Sequence, residues 1–139
     1  INLHYRRFYV GIVLMLHALW RWVVLIVALI ALVKFALGWL QRKNPQALDR
    51  RLLLAFTTAI DIQVLLGVIA LILMALAAPL PRPALEHTVI MIIAAVVAHA
   101  SAMWRKRTDN AFLRNSFFDV LATLVLISIG ITTVNGWHF

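Results

Sequence analysis

Five ionisable side chains stand inside long apolar stretches of this chain: His17, Arg21, Asp61, His99 and Asp119. An Arg or Asp at the centre of a membrane helix costs at least ~2.5–3.5 kcal/mol unless it is paired or hydrated, so each such group points to a partner or to chemistry. His17 and Arg21 are four residues apart and share a helix face, flanked by Trp20 and Trp22. His87 opens another apolar run, with Met91 one turn further on. If the runs holding His17 and His87 are parallel helices of one bundle, the two imidazoles reach a similar depth. Two imidazoles facing each other across a bundle core form the ligand set of a six-coordinate b-type haem. The plainer alternative has His17 bonded to a backbone carbonyl and His87 capping a helix start.

His99 lies twelve residues beyond His87, roughly 18 Å along a helix at 1.5 Å per residue, which excludes it as a second ligand to the same haem. The stretch Ala95-Val96-Val97-Ala98-His99 fits the small-xxx-His spacing by which light-harvesting helices hold a chlorophyll magnesium, but the match is short, and a core histidine bonded to a neighbouring helix is the favoured reading. Asp61 and Arg21 fall near the middle of successive antiparallel runs, so a buried Arg21–Asp61 pair is expected to cancel two desolvation costs and fix the register of the first two helices. The functional alternative makes Asp61 a proton carrier, with Thr57, Thr58 and Gln63 nearby. Asp119, close to Arg114 and Ser116, is expected to be hydrated or paired. The chain lacks cysteine, which removes disulfides, iron–sulfur clusters, thiolate zinc sites and cysteine nucleophiles. It carries no HExxH, nucleophile elbow, phosphate loop or paired carboxylates, so no catalytic motif marks it as an enzyme.

The elements that must position these residues follow from composition. Of 139 residues, 64% are hydrophobic and 13% charged, against roughly 45–50% and about 25% in ordinary soluble domains. Mean hydropathy is +0.96. Such a chain cannot cover a soluble surface, and the balance excludes a disordered segment and a nucleic-acid-binding module despite a pI near 11.4. Four apolar runs, approximately 8–40, 52–80, 84–104 and 111–137, each exceed the roughly 20 residues that cross a bilayer. They are apolar on every side, which excludes alternating barrel strands. The first run is too long for a cleavable signal peptide and lacks a small-residue cleavage site. The expected fold is all-α and integral to a membrane: one domain over residues 1–139, an up-down bundle of four transmembrane helices.

The connections give it a direction. The first carries Arg42, Lys43, Arg50 and Arg51, and the third carries Arg105, Lys106, Arg107 and Arg114. The second has three prolines and a nearly cancelling Arg82 and Glu86. Positive residues favour the cytoplasmic side, so the first and third connections are expected inside and both termini outside, with Arg6 and Arg7 as minor dissent. Trp39, Trp104, Trp137, Tyr5 and Tyr9 fall near span ends, as interfacial aromatics do.

The stretches LHALWRWVVLIVALIALVKFALGW, DIQVLLG and EHTVIM, followed by a basic loop, resemble a group of small four-helix bacterial inner-membrane proteins described as cytochrome b-like. The resemblance runs over nearly the whole chain. Its specific points are His17, Arg21, Trp22, Gln63, Glu86, His87 and Met91. Thr88 stands where that group usually has proline, and Asn135-Gly136-Trp137 where it often has proline–tryptophan. The resemblance implies the four-helix bundle, the bacterial inner membrane and a haem.

Three kinds of function follow. The first is a membrane electron-transfer subunit of a larger respiratory or photosynthetic complex, with a haem b between His17 and His87, propionates near Arg6, Arg7 or Arg82, and quinol or an outside donor as redox partner. The second is a cofactor-free accessory subunit packed among other membrane subunits. The third binds (bacterio)chlorophyll through His99 or His17. A carrier using Asp61 is disfavoured, because no span is broken by Gly and Pro as transporter sites are.

Overall fold

The computed structural model describes residues 3–137; His138, one of the five histidines, lies outside them. Four helices account for nearly all of it: α1 Leu3–Leu40, α2 Ala47–Ala77, α3 Arg82–His99 and α4 Ala111–Thr133, with a 3-10 turn at Ala100–Met103 after α3. Each α-helix is long and apolar enough to cross a membrane. Successive helices pack side by side and α4 returns to α1, closing a ring whose most open seam lies between α2 and α3. One end holds the described start of α1, the α2–α3 connection and the end of α4 (the terminal end). The other holds the two basic connections (the loop end).

Helix boundaries differ from the apolar runs for local reasons. Helix α1 begins five residues before residue 8, placing Arg6 and Arg7 on its first turns. Helix α2 begins five residues before residue 52, because Asp49 Oδ2 accepts the Gln46 backbone N–H at 2.8 Å and closes the first turn ahead of Arg50 and Arg51. It ends at Ala77, since Ala78 precedes Pro79 and is pushed out of the helical region (φ −163°, ψ 164°). Helix α4 ends four residues short of residue 137. Asn135 takes a left-handed φ of 50°, its N–H bonds Thr132 O at 3.1 Å and the Gly136 N–H bonds Ile131 O at 2.9 Å, a Schellman close. Arg42 (φ 55°) closes α1 in the same way. There the Asn110 amide, from the start of α4, donates to Lys43 O at 2.6 Å and to Gly38 O at 3.3 Å, tying the start of α4 to the close of α1.

The core is filled by small residues where helices approach and by aromatics toward the loop end. Ala28, Ala31, Ala59, Ala94 and Ala98 are buried, and Phe35, Phe56 and Phe112 are fully buried. Phe35 and Phe112 meet edge to face at 6.4 Å. The outer surface is aliphatic, with Leu29, Leu37, Leu54, Leu65 and Val96 all more than half exposed, whereas Arg21, Ser116, Asp119 and Thr123 are buried. That is the reverse of a water-soluble bundle.

Candidate functional site

Helix α1 carries His17 and helix α3 carries His87, both half-buried. Their ring centroids lie 6.2 Å apart with planes at 82°. Each ring rests against a glycine of an adjacent helix. A Cβ on Gly67 of α2 would stand 3.1 Å from His17 Cε1, and one on Gly130 of α4 would stand 3.6 Å from His87 Nδ1, 3.3 Å from Ile90 Cγ2, and in collision with Met91 Cε. The missing side chains let α2 and α4 close on the imidazoles.

The two rings are held differently. His87 Nδ1 lies 2.7 Å from Gly130 O, which can only accept; Nδ1 therefore carries the proton and Nε2 is left with its lone pair. A backbone carbonyl on Nδ1–H is the usual outer-shell partner of a metal-ligating histidine. The Gln63 amide of α2 donates to His17 O at 3.1 Å and lies 3.3 Å from His17 Nε2. His17 Nδ1 and Gln63 Oε1 are buried without a hydrogen-bond partner among the described residues. The ring separation is that of two imidazoles sharing one metal through bonds of about 2 Å, while His17 turns Nε2 to Gln63 and Nδ1 to Gly67 of α2. No group of three or more His, Asp or Glu suited to a metal ion occurs among the described residues.

The three arginines expected near propionates all sit at the terminal end and are exposed. Arg6 donates to Leu76 O at 3.0 Å, near the C-terminus of α2. Arg82 pairs with Glu86 at 2.7 Å. Arg7 lines a groove of about 230 Å³ with Met74 and Pro79.

The expected Arg21–Asp61 pair is replaced by other contacts. Asp61 Oδ1 lies 2.6 Å from His99 Nε2 across the α2–α3 seam. Arg21 points elsewhere: its guanidinium lies 5.4 Å from the centre of the Trp22 ring, and Nη1 is 3.1 Å from where a Cβ on Gly136 would stand. The two residues do share a level, since Trp20 Nε1 donates to Ala59 O at 3.0 Å. They differ in azimuth: Asp61 faces α3 and Arg21 faces the turn after α4. His99 is thus the histidine bonded to a neighbouring helix, and the nitrogen a light-harvesting histidine would give to magnesium is engaged by a carboxylate. Asp119 is buried, with Oδ2 lacking a partner among the described residues.

Several positioning residues carry little sequence signal. Asp49, in a basic connection, is 2% exposed and accepts Lys34 Nζ at 2.9 Å. Arg50 ties the two basic connections together, donating to Arg105 O and, at 2.6 Å, to Arg107 O, with its guanidinium 4.8 Å from the centre of the Phe112 ring. In the α3–α4 connection, the bidentate Arg107 guanidinium holds the Asp109 carboxyl below its ordinary value. Gly67 and Gly130 reveal their role only against the two rings. Gln63 was visible as an amide in an apolar run, but its partner was not.

Comparison of the chain with protein-family models, with curated proteins and with solved structures finds no match.

Proposed function

We propose that this chain is a multi-pass electron-transfer subunit of the bacterial inner membrane, binding one b-type haem between His17 and His87 and working within a larger respiratory or photosynthetic complex. The observation that carries the reading is the pair of imidazoles from α1 and α3 at a ring separation of 6.2 Å, one with Nδ1 fixed on a carbonyl and the other with a buried, unpartnered Nδ1. Membrane insertion is supported by four apolar helices with an aliphatic exterior and with Arg21, Ser116, Asp119 and Thr123 turned inside. The basic connections favour a loop end inside and termini outside. The likeness to cytochrome b-like proteins agrees with both.

In this reading His17 and His87 would hold the haem, which when bound would supply a one-electron carrier. Gly130 O orients the His87 ring, and Gln63 and Gly67 hold His17 from α2. Arg6, Arg7 and Arg82 stand at the end of the bundle where propionates would meet water.

A reduced-minus-oxidised spectrum of the purified protein tests this. A b-type α band is expected, lost in His17→Ala and in His87→Ala and retained in His99→Ala. Colourless wild-type protein would overturn the haem and leave a cofactor-free accessory subunit.

A further inference from the structure

We propose that the seam between α2 and α3 is a binding site for the head group of a membrane quinone, held by His99, whose ring is fixed by its bond to Asp61. The site is a groove of about 490 Å³, walled by Val64 on α2 and by Ile92, Ala95, Val96, His99 and Met103 on the other side. That volume lies within the ~300–1,000 Å³ usual for small-molecule sites.

The polar pair is what makes the groove more than a lipid-facing furrow. The Asp61 and His99 side chains are 59% and 49% exposed, yet both belong to helices apolar enough to cross a membrane. Half-exposed ionisable groups at such a position are costly against hydrocarbon and call for a polar ligand. Their bond uses His99 Nε2 and Asp61 Oδ1, leaving Nδ1 of His99, the member of the pair that lines the groove, to that ligand. With Nε2–H donating to Asp61, Nδ1 is an acceptor for a phenolic O–H; with the proton on Asp61 and donated to Nε2, Nδ1–H is a donor for a carbonyl. One ring can therefore serve a hydroquinone and a quinone. Asp119 of α4 also interacts electrostatically with His99, so the pair is not the only titratable chemistry at this level.

The occupant is constrained by where the groove opens. It lies on the seam at which the bundle is least closed, so a ligand entering from the side must itself dissolve in lipid. It must carry a small flat head with hydrogen-bonding oxygens and an apolar tail, which describes a quinone. A phospholipid keeps its polar group at the membrane surface, away from a pair whose Asp61 stands midway along α2, although His99 is the last residue of α3.

Position links the groove to the histidine pair. Val64 follows Gln63, the residue bonded to His17, and Ile92 is five residues from His87, about 7.5 Å along α3. The redox role of the quinone rests on the haem reading; its binding does not.

The test uses the full chain in phospholipid nanodiscs titrated with a short-chain ubiquinone, followed by quenching of tryptophan fluorescence, with the haem spectrum taken on the same samples. Saturable binding near one per chain is expected. His99→Leu and Asp61→Leu/His99→Leu should weaken it about tenfold or more, the loss of one or two hydrogen bonds to an ionisable pair. Both place leucine on a face that already meets lipid, so they should fold. Ala95→Phe, which narrows the groove and leaves the pair intact, should weaken binding as much. Non-saturable uptake equal in all variants, or saturable binding that none of the three alters, would overturn the site. So would a phospholipid retained in the groove that the quinone does not displace. Colourless protein that binds the quinone in this pattern would remove the haem and leave this site standing; haem-bearing protein without such binding would do the reverse.

Discussion

Removing the charge of Asp49 should destabilise the bundle more than removing any other carboxylate, although it sits in a connection that reads as a solvated basic loop. Its carboxylate is almost wholly buried. Oδ2 accepts the Gln46 N–H at 2.8 Å and Oδ1 accepts Lys34 Nζ at 2.9 Å. Asp49→Ala deletes the bond that closes the first turn of α2, worth about 1 kcal/mol. It also strands the Lys34 ammonium inside α1. Breaking a buried pair costs roughly 3–5 kcal/mol, but the Lys34 side chain is about one-third exposed and can reach water, so the lower part of that range applies. The sum is about 4 kcal/mol. Asp49→Asn keeps an acceptor for Gln46 and should cost about 1 kcal/mol less than the alanine variant does, the rest being lost with the charge that pairs Lys34. Lys34→Met in the Asp49→Asn background should recover most of that loss, because the stranded ammonium is gone. The assay is reversible unfolding in mixed detergent–SDS micelles, read as a double-mutant cycle over Lys34 and Asp49. A coupling energy indistinguishable from zero would refute the reasoning and make Asp49 an ordinary capping residue.

Gly67→Ala separates the site from the fold. Alanine should favour α2 by up to ~1 kcal/mol, but its Cβ would press on His17 Cε1 from 3.1 Å, so the melting temperature should hold or rise while the haem spectrum weakens or shifts; an unaltered spectrum would mean that Gly67 does not position His17. Orientation is tested by reporter fusions after Gln46 and after Phe139, expected on opposite sides of the membrane with Gln46 in the cytoplasm; the same side for both would end the proposed topology.

The number of helices, their approximate limits and their order were legible in the sequence, because each depends on local composition. Four apolar runs give four helices, and Pro79, Pro81 and Pro83 end α2 and start α3 wherever the chain goes next. Axial position was legible too. A fixed rise per residue put His17 and His87 at one level, with His99 well below, and Arg21 level with the middle of α2. Azimuth was not. These helices are apolar all round, so no hydrophobic stripe says which face turns inward or toward which neighbour. Arg21 and Asp61 share a level and look like a pair in sequence, yet packing turns one toward Gly136 and the other toward His99. The same holds for Gly67 and Gly130, ordinary helix glycines until two imidazoles from other helices rest on them, and for Asp49, whose burial depends on Lys34 reaching it from α1. Sequence determined what lies at each depth, since depth is a property of one helix. Only tertiary structure decided what meets at that depth, since a meeting depends on the rotation of two helices against each other.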